Sequence, residues 1–506
     1  MTLTVDGRPL SAPAGDFSLL TLLREHLAIR AVKDGCSPQG QCGACTVLVD
    51  GAARVACVTP ARRVAGREVT TLAGLEPARR AAWADAFCAT GASQCGFCTP
   101  GIILRLESLA RRSGADPTGP LAAHLCRCTG WQTILEAARS VAEGTIAPGE
   151  PRDYAAAARR ATLEGGRPQV AGPHVACGEG GFADDSAPAG ALVAVPAPAG
   201  GWALGETPDE ARRAAGAPEG RRSTLRAEPP LDVPPGDWDC TLRTCWSEPA
   251  YLEPDSSWCV PGGEPADPLA NGGAFGAKAR SPAPAVARRL ADETGRPVRV
   301  LYSRPDATRL GPKRPPVAGG ANADGSGRLA VARTPGIAEA IAAVAPRLEV
   351  TEIDIDGPPT SADLRAAGVL EALALLAGAR GRTDPVRLPG GGTATAHVGD
   401  VIAVEVDCGR PLDEVVLRSY CIGAAHMAYS LVTSEAVATD DDGAVVDLTV
   451  RSFGVVPASR TPPVEVTIVG GDGEPTNGSD SVFVATAAAT WLARGRAPIW
   501  PTDHRS

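Results

Sequence analysis

The chain is poor in several residue types. Of its 506 residues only 4% are aromatic, two are Met and six are His. The six, His26, His124, His174, His397, His426 and His504, are scattered, which argues against a metal site built on imidazoles. There is no run of basic residues, and the net charge is -9. Nucleic acid and anionic membrane surfaces are therefore not expected partners. No stretch of 18 apolar residues occurs, so no membrane-spanning helix is expected. The first residues, MTLTVDGRPLSAPAGDF, show no basic segment followed by an apolar one, which leads us to expect a cytoplasmic protein without a leader. No Gln follows Gln169.

Cysteine, by contrast, is plentiful, at 15 residues. Disulfides are rare in the cytoplasm, where clustered cysteines are more often metal-binding or catalytic. Eight of the 15 fall into two quartets before residue 130. Cys36, Cys42, Cys45 and Cys57 read C-x5-C-x2-C-x11-C. Cys95, Cys98, Cys126 and Cys128 read C-x2-C-x27-C-x-C. Four thiolates hold an iron–sulfur cluster, and one plant-type spacing is C-x4-C-x2-C with a distant fourth Cys. The first quartet differs from it by one residue, in the loop SPQGQ. Structural zinc is the alternative, but it prefers C-x2–4-C pairs on both sides, and the C-x-C half fits that poorly. The other cysteines, Cys88, Cys177, Cys240, Cys245, Cys259, Cys408 and Cys421, form no quartet and read as small buried apolar residues.

Length suggests three or four domains. An apolar content of 44% is enough for large cores. Gly and Pro make up about a fifth of the chain, with 58 and 46 residues, short of the disordered range. Hairpins are expected at Asp6-Gly7 and Asp50-Gly51, dipeptides suited to tight two-residue turns. A helix is expected over 18–27. These elements fit a β-grasp domain over residues 1–75. From 76 to 150 the period becomes helical, in PARRAAWADAFCAT, TPGIILRLESLARRSG, PLAAHL and WQTILEAARSVAEG, with Thr99 as an N-cap and Pro100 as the first helical residue. Cys98 then lies at a helix N-terminus, whose partial positive charge favours thiolate. Residues 151–239 are Ala-, Gly- and Pro-rich, with linker character around 146–153 and 196–236. Residues 240–506 mix strands (PVRVLY, LEVTEIDID, VIAVEVDC, AVVDLTV, VEVTIV) with helices (VLEALALLAG, VATAAATWLARG). The fold class expected is multidomain α+β: a ferredoxin-like β-grasp, a helical bundle, then an α/β region.

The strings GQCGACTVLVDG, QCGFCTPG and LCRCTGW make residues 1–145 resemble the two-cluster domain of the xanthine dehydrogenase/aldehyde oxidase family of molybdenum hydroxylases. That resemblance implies two [2Fe–2S] clusters, one per quartet, and places Gln94 beside the second, near the pterin. It also implies electrons running from molybdopterin to the helical domain's cluster and outward through the β-grasp cluster. Beyond residue 145 the resemblance continues in pieces, among them GGFADDSAPAGALVA, TCWSEPAYLEPDSSWCVP and VDCGRPLD. GGAFGAK (272–278) looks like a GGGFGGK cofactor loop, which implies pterin contacts at Gly272, Gly273, Phe275 and Gly276. PPTSADLRAAGVLEA resembles an Arg-x-x-Gly loop, which puts Arg365 and Gly368 near the cofactor. NGSDSVFVATAAA aligns Asp480, one methylene shorter, with the family's catalytic Glu.

This chain also departs from the family. The molybdenum region is shortened, Ala274 and Ala277 stand where the family has Gly, and the family's Gln contacts to the pterin have no counterpart. Ala at such positions obstructs close approach of a ligand. No FAD-binding segment is recognisable, so electrons must leave to another subunit or a soluble acceptor. Read without the resemblance, Gly272–Lys278 is a weak Gly-rich signal, Arg365 an ion-paired or solvated Arg, and Asp480 a loop or cap residue.

Two functions follow. In one, the chain is the oxidoreductase component of a molybdenum hydroxylase oxidising an aldehyde or N-heteroaromatic molecule, with Asp480 as base and Arg365 as substrate or cofactor contact. In the other it is an electron-transfer and docking subunit, and catalysis occurs on a partner chain carrying molybdopterin. FAD subunits are further expected partners.

Overall fold

The computed structural model describes residues 1–506 except 14, 111–115, 146–151, 217–219, 221–223, 268–272 and 504–506. The expected hairpins form. Thr2–Val5 pairs with Arg8–Ser11 in the register Val5↔Arg8, and Asp6 and Gly7 both have positive φ (50° and 75°). Thr46–Val49 pairs with Ala52–Val55 around Asp50 and Gly51 (48° and 76°). Positive φ at both central residues is the geometry whose twist matches that of the flanking strands. Glu68–Thr70 completes a five-stranded sheet in the order 8–11, 2–5, 68–70, 46–49, 52–55. The expected 18–27 helix is a short turn capped by Ser18, over Leu19–Thr21, which widens into a π-type turn over Leu22–His26.

The helical unit follows. Pro77–Thr90 starts at Glu76, whose carboxylate accepts from the Ala78 and Arg79 amides, and stops at Gly91 in the left-handed region. Thr99–Ala110 includes Thr99 as its first residue, so Cys98, not Thr99, immediately precedes the helix. PLAAHL is helical only through Leu121, in the turn Thr118–Leu121, because His124 turns inward to hydrogen-bond Thr46 Oγ1 at 3.1 Å. Gln132–Glu143 closes the bundle. Of the linker expected around 146–153, residues 146–151 lie outside the described residues. Directly after it comes a helix, Tyr154–Gly165, capped by Asp153.

Three further sheets carry the rest. One, in the order 202–205, 192–196, 298–301, 256–259, draws strands from both sides of residue 239. A second runs 348–353, 327–332, 317–321, 240–244, 499–500, and a third 386–387, 393–398, 402–407, 464–468. Helices Val369–Arg380, Glu414–Thr433 and Ser479–Ala493 pack together between them. The segment AVVDLTV, expected as a strand, is not one. Its apolar residues Val445, Leu448 and Val450 are buried in the core of the cysteine units, and Val446 is buried as well. Its backbone is bonded by a side chain: Gln39 Nε2 donates to Leu448 O (2.8 Å), and the Val450 amide donates to Gln39 Oε1 (3.3 Å). Tertiary burial overrides strand preference here.

Among the described residues one helix, Glu414–Thr433, is long and apolar enough to cross a membrane, yet 78% of its most apolar window is buried inside the protein. It is a core helix.

Candidate functional site

Each quartet gathers where its loops meet. All eight sulfurs are buried, their residues 1–6% exposed, and none is bridged by a disulfide. In the first quartet Cys36 contacts Cys42 and Cys57, Cys57 contacts Cys45, and the Cys57 amide donates to Cys45 Sγ at 3.4 Å. In the second, Cys98 contacts Cys126, Cys126 contacts Cys128, and Cys128 Sγ lies 3.6 Å from Cys95 Sγ. Such crowding permits little negative charge without a cation. Contacts from Cys42 and Cys57 hold the Cys36 thiol far below its usual value, and the Cys36 contact in turn pushes Cys42 and Cys57 up. Cys126 is lowered in the same way by Cys128 and Cys98, which are raised. Among the described residues no three His, Cys, Asp or Glu donors surround a single ion. A [2Fe–2S] cluster requires two thiolate pairs, one per iron, and the observed contacts supply pairs. The residues present fit that group.

The two quartets are joined through the fold. A Cβ on Gly35 would sit 3.0 Å from Cys42 Sγ and 3.2 Å from the Phe97 ring, so the two ligand loops touch. On the far side of the second quartet, Gly423 of the core helix is pressed against Cys128 O; a Cβ there would lie 1.8 Å from it. Gln94 ties the same carbonyl to that helix, its Nε2 donating to Cys128 O and to Ser419 Oγ, both at 3.0 Å. Gln94 Oε1 is buried and has no hydrogen-bond partner.

The residues implied as pterin and substrate contacts lie next to this. Gly273, at φ 86°, abuts Cys128 Sγ and Arg127. Gly276 meets the Asp363 carbonyl. Gly272 lies outside the described residues. Gly368 does not join them: its α-carbon faces Ile337 and Ile341 in the apolar core. Arg365, Phe275 and Asp480 do come together. Arg365 Nε donates to Asp480 Oδ1 at 2.6 Å, and Nη2 donates to Ser479 Oγ. The guanidinium is sandwiched 4.5 Å from the Phe275 ring centre and 5.4 Å from that of Phe483. Sequence reasoning alone gave no hint of Phe483, Met427 or the Arg127–Glu435 pair, which also enclose this point.

What remains open there is about 40 Å³, lined by Arg127, Glu248, Phe275, Arg314, Arg365 and Phe483, among others. Sites for organic ligands measure roughly 300–1,000 Å³. The space takes about one water. Gln94 is not among the residues lining it, its volume is too small, and the molybdopterin group does not fit this pocket.

Comparison with known proteins agrees with the cysteine units. Residues 71–139 match the family described as "[2Fe-2S] binding domain". The nicotinate dehydrogenase small FeS subunit of Eubacterium barkeri is 39% identical over 131 residues, 25% of this chain and 82% of that one. The xanthine dehydrogenase iron-sulfur-binding subunit of Escherichia coli O157:H7 is 37% identical over 139 residues, 26% of this chain and 87% of that one. Across 99% of this chain and 98% of the other, the fold is similar to aldehyde oxidoreductase from Desulfovibrio gigas, with a TM-score of 0.72 at 15% identity. Buried thiol quartets on a multidomain α+β frame define an iron–sulfur oxidoreductase. The chain belongs to the xanthine dehydrogenase/aldehyde oxidase family of molybdenum hydroxylases.

Proposed function

We propose that this chain is the electron-transfer component of a molybdenum hydroxylase, holding two [2Fe–2S] clusters, whose substrate-oxidising centre is carried by a partner chain. The observation behind this reading is the 40 Å³ pocket, filled by Arg365 between two phenyl rings where the family resemblance would put the cofactor. Cys36, Cys42, Cys45 and Cys57 would hold one cluster within residues 1–75, and Cys95, Cys98, Cys126 and Cys128 the other within 76–150. When bound, each cluster supplies one-electron redox chemistry. The chain's own residues set its surroundings. Gln94 and Gly423 fix the Cys128 backbone, and buried Arg127, paired bidentately with Glu435 (2.5 and 2.7 Å), stands beside Cys128. Residues 151–239 and 240–506 then serve as a docking body for the catalytic chain, which would oxidise an aldehyde or an N-heteroaromatic molecule. Two relatives, the nicotinate dehydrogenase small FeS subunit and the xanthine dehydrogenase iron-sulfur-binding subunit, are by name parts of larger enzymes, in keeping with such a partner.

Metal analysis of the anaerobically purified chain tests the reading. We expect about four Fe and no Mo per chain. One Mo per chain would return the catalytic centre to this chain, with Asp480 as its base and Gln94 Oε1 as a pterin contact. Zinc in place of iron would remove the clusters.

A further inference from the structure

A large cavity lies on the other side of the cysteine units. It is a cleft of about 870 Å³ between the first quartet's loops and the sheet containing 192–196 and 298–301. Cys57, at 5% exposure against 1% for Cys36, Cys42 and Cys45, lines it. So does Phe97, which stands between Cys95 and Cys98 and meets Phe182 edge-on at 5.2 Å. Phe17 and Tyr302 add aromatic surface, in a chain with few aromatics to place.

Two polar side chains in the cleft wall are more than nine-tenths buried and incompletely bonded. Glu253, 2% exposed, receives Lys278 Nζ on Oε2 at 2.8 Å, and its Oε1 has no partner. Ser256, three residues on and 7% exposed, has no partner for Oγ. Burial pushes the Glu253 carboxyl up to about 7, so near neutrality it is protonated in part and able to donate. A buried polar atom left unpaired costs about 1–3 kcal/mol, which a ligand carbonyl or hydroxyl would relieve. Charge narrows the ligand further. The described residues lining the cleft include nine carboxylates and five basic side chains, an excess that disfavours a phosphate-bearing nucleotide.

We propose that this cleft is a binding site for a quinone: an uncharged, planar ring held between the aromatic side chains, its carbonyl oxygens bonded by Glu253 and Ser256. The site is independent of where molybdenum resides, and its position against Cys57 makes it the place where a small acceptor would approach the first cluster.

Menadione titrated into the purified full-length chain, followed by calorimetry, tests this. We expect saturable binding of one menadione per chain. 2-Methylnaphthalene, the same ring without carbonyls, should bind at least tenfold more weakly. Ser256→Ala should weaken menadione several-fold, the loss of one hydrogen bond. Ala215→Trp, at the half-buried end of the helix Pro208–Ala215, places an indole in the cleft and should weaken it at least about tenfold. Visible cluster absorbance certifies folding of each variant, and its loss from the wild-type chain would count against the proposed function, not against the cleft. Non-saturable binding, equal affinity for 2-methylnaphthalene, or affinity unchanged by Ala215→Trp would each overturn the proposal.

Discussion

Replacing Asp480 by Asn separates the two functional readings. Asp480 is the second residue of the Ser479–Ala493 helix, and its carboxylate accepts from Arg365 Nε at 2.6 Å. The Arg365 side chain is 4% exposed and that of Asp480 34%. Removing one partner of a fully buried pair costs about 3–5 kcal/mol, whereas exposed pairs contribute about 0.2–1 kcal/mol. Asp480 is a third exposed, and Arg365 keeps Ser479 Oγ and its two phenyl rings. The expected loss therefore falls between these limits, at about 1–2 kcal/mol.

The assay is denaturant unfolding read on Trp491 and Trp500, which pack at 5.8 Å inside the same unit, alongside cluster absorbance and turnover of the assembled complex. If Asp480 is structural, stability falls, while cluster absorbance and turnover stay within about twofold of wild type. Arg365→Met in the Asp480→Asn background should recover part of the loss, because a buried ion pair exchanged for apolar packing is often neutral. The cycle should then show a coupling of about 1 kcal/mol. The opposite pattern refutes the argument. A fall in turnover of 10²-fold or more at unchanged stability, the size of effect carried by general acid–base groups, would make Asp480 a catalytic base in this chain.

Gly423→Ala should disturb the second quartet selectively. The added Cβ would lie 1.8 Å from Cys128 O, so helix or cysteine loop must move, at a cost of about 1–3 kcal/mol. We expect a broadened electron paramagnetic resonance signal from one cluster and an unchanged signal from the other; two unchanged signals would refute the buttressing role of the core helix. Glu253 gives a pH dependence. Its folded value of about 7 exceeds the usual 4.5, so the folded state binds more protons between those values. Its contribution to stability is then fully present below about pH 4.5 and is lost, on the order of 3 kcal/mol, as pH rises through 7. Glu253→Gln should flatten the unfolding midpoint across that window, and an unchanged slope would remove Glu253 as its source.

The cysteine units were legible because their chemistry leaves little choice of residue or spacing. Four thiols must reach one cluster, and Asp50-Gly51 must supply positive φ to fold the hairpin flanked by Cys45 and Cys57. The core helix Glu414–Thr433 was not legible. It is buried on nearly every side, so it lacks the apolar stripe by which a surface helix is recognised. AVVDLTV failed for the opposite reason: its pattern suits a strand, but Gln39 of the first quartet's loop engages its backbone from hundreds of residues away. The closed pocket left only a local trace, Ala274 and Ala277 in place of Gly, both now buried. Its filling depends on Phe275, Arg365, Met427 and Phe483, from four separate stretches of chain.

Charge supplies a second argument that the pocket is closed to an anionic cofactor, independent of its volume. A site for such a group keeps cations for it. Here the buried cations around the pocket already have carboxylates. Arg127 holds Glu435 bidentately, Arg314 holds Glu371 at 2.5 and 3.1 Å, Lys313 lies 2.8 Å from Glu248, and Arg365 holds Asp480. All four cations are tied down further: Arg127 Nε donates to Pro249 O, Arg314 to the Arg365 and Ala366 carbonyls, Lys313 Nζ to Gly311 O, and Arg365 Nη2 to Ser479 Oγ. An entering anion would have to displace a carboxylate and leave it buried and unpaired, at about 3–5 kcal/mol for each pair broken. The Arg365–Asp480 pair, with Asp480 partly in solvent, is the cheapest to break. If the pocket ever opens to a ligand, that pair is where it should begin, and the Asp480→Asn variant would be the first to show it by taking up Mo.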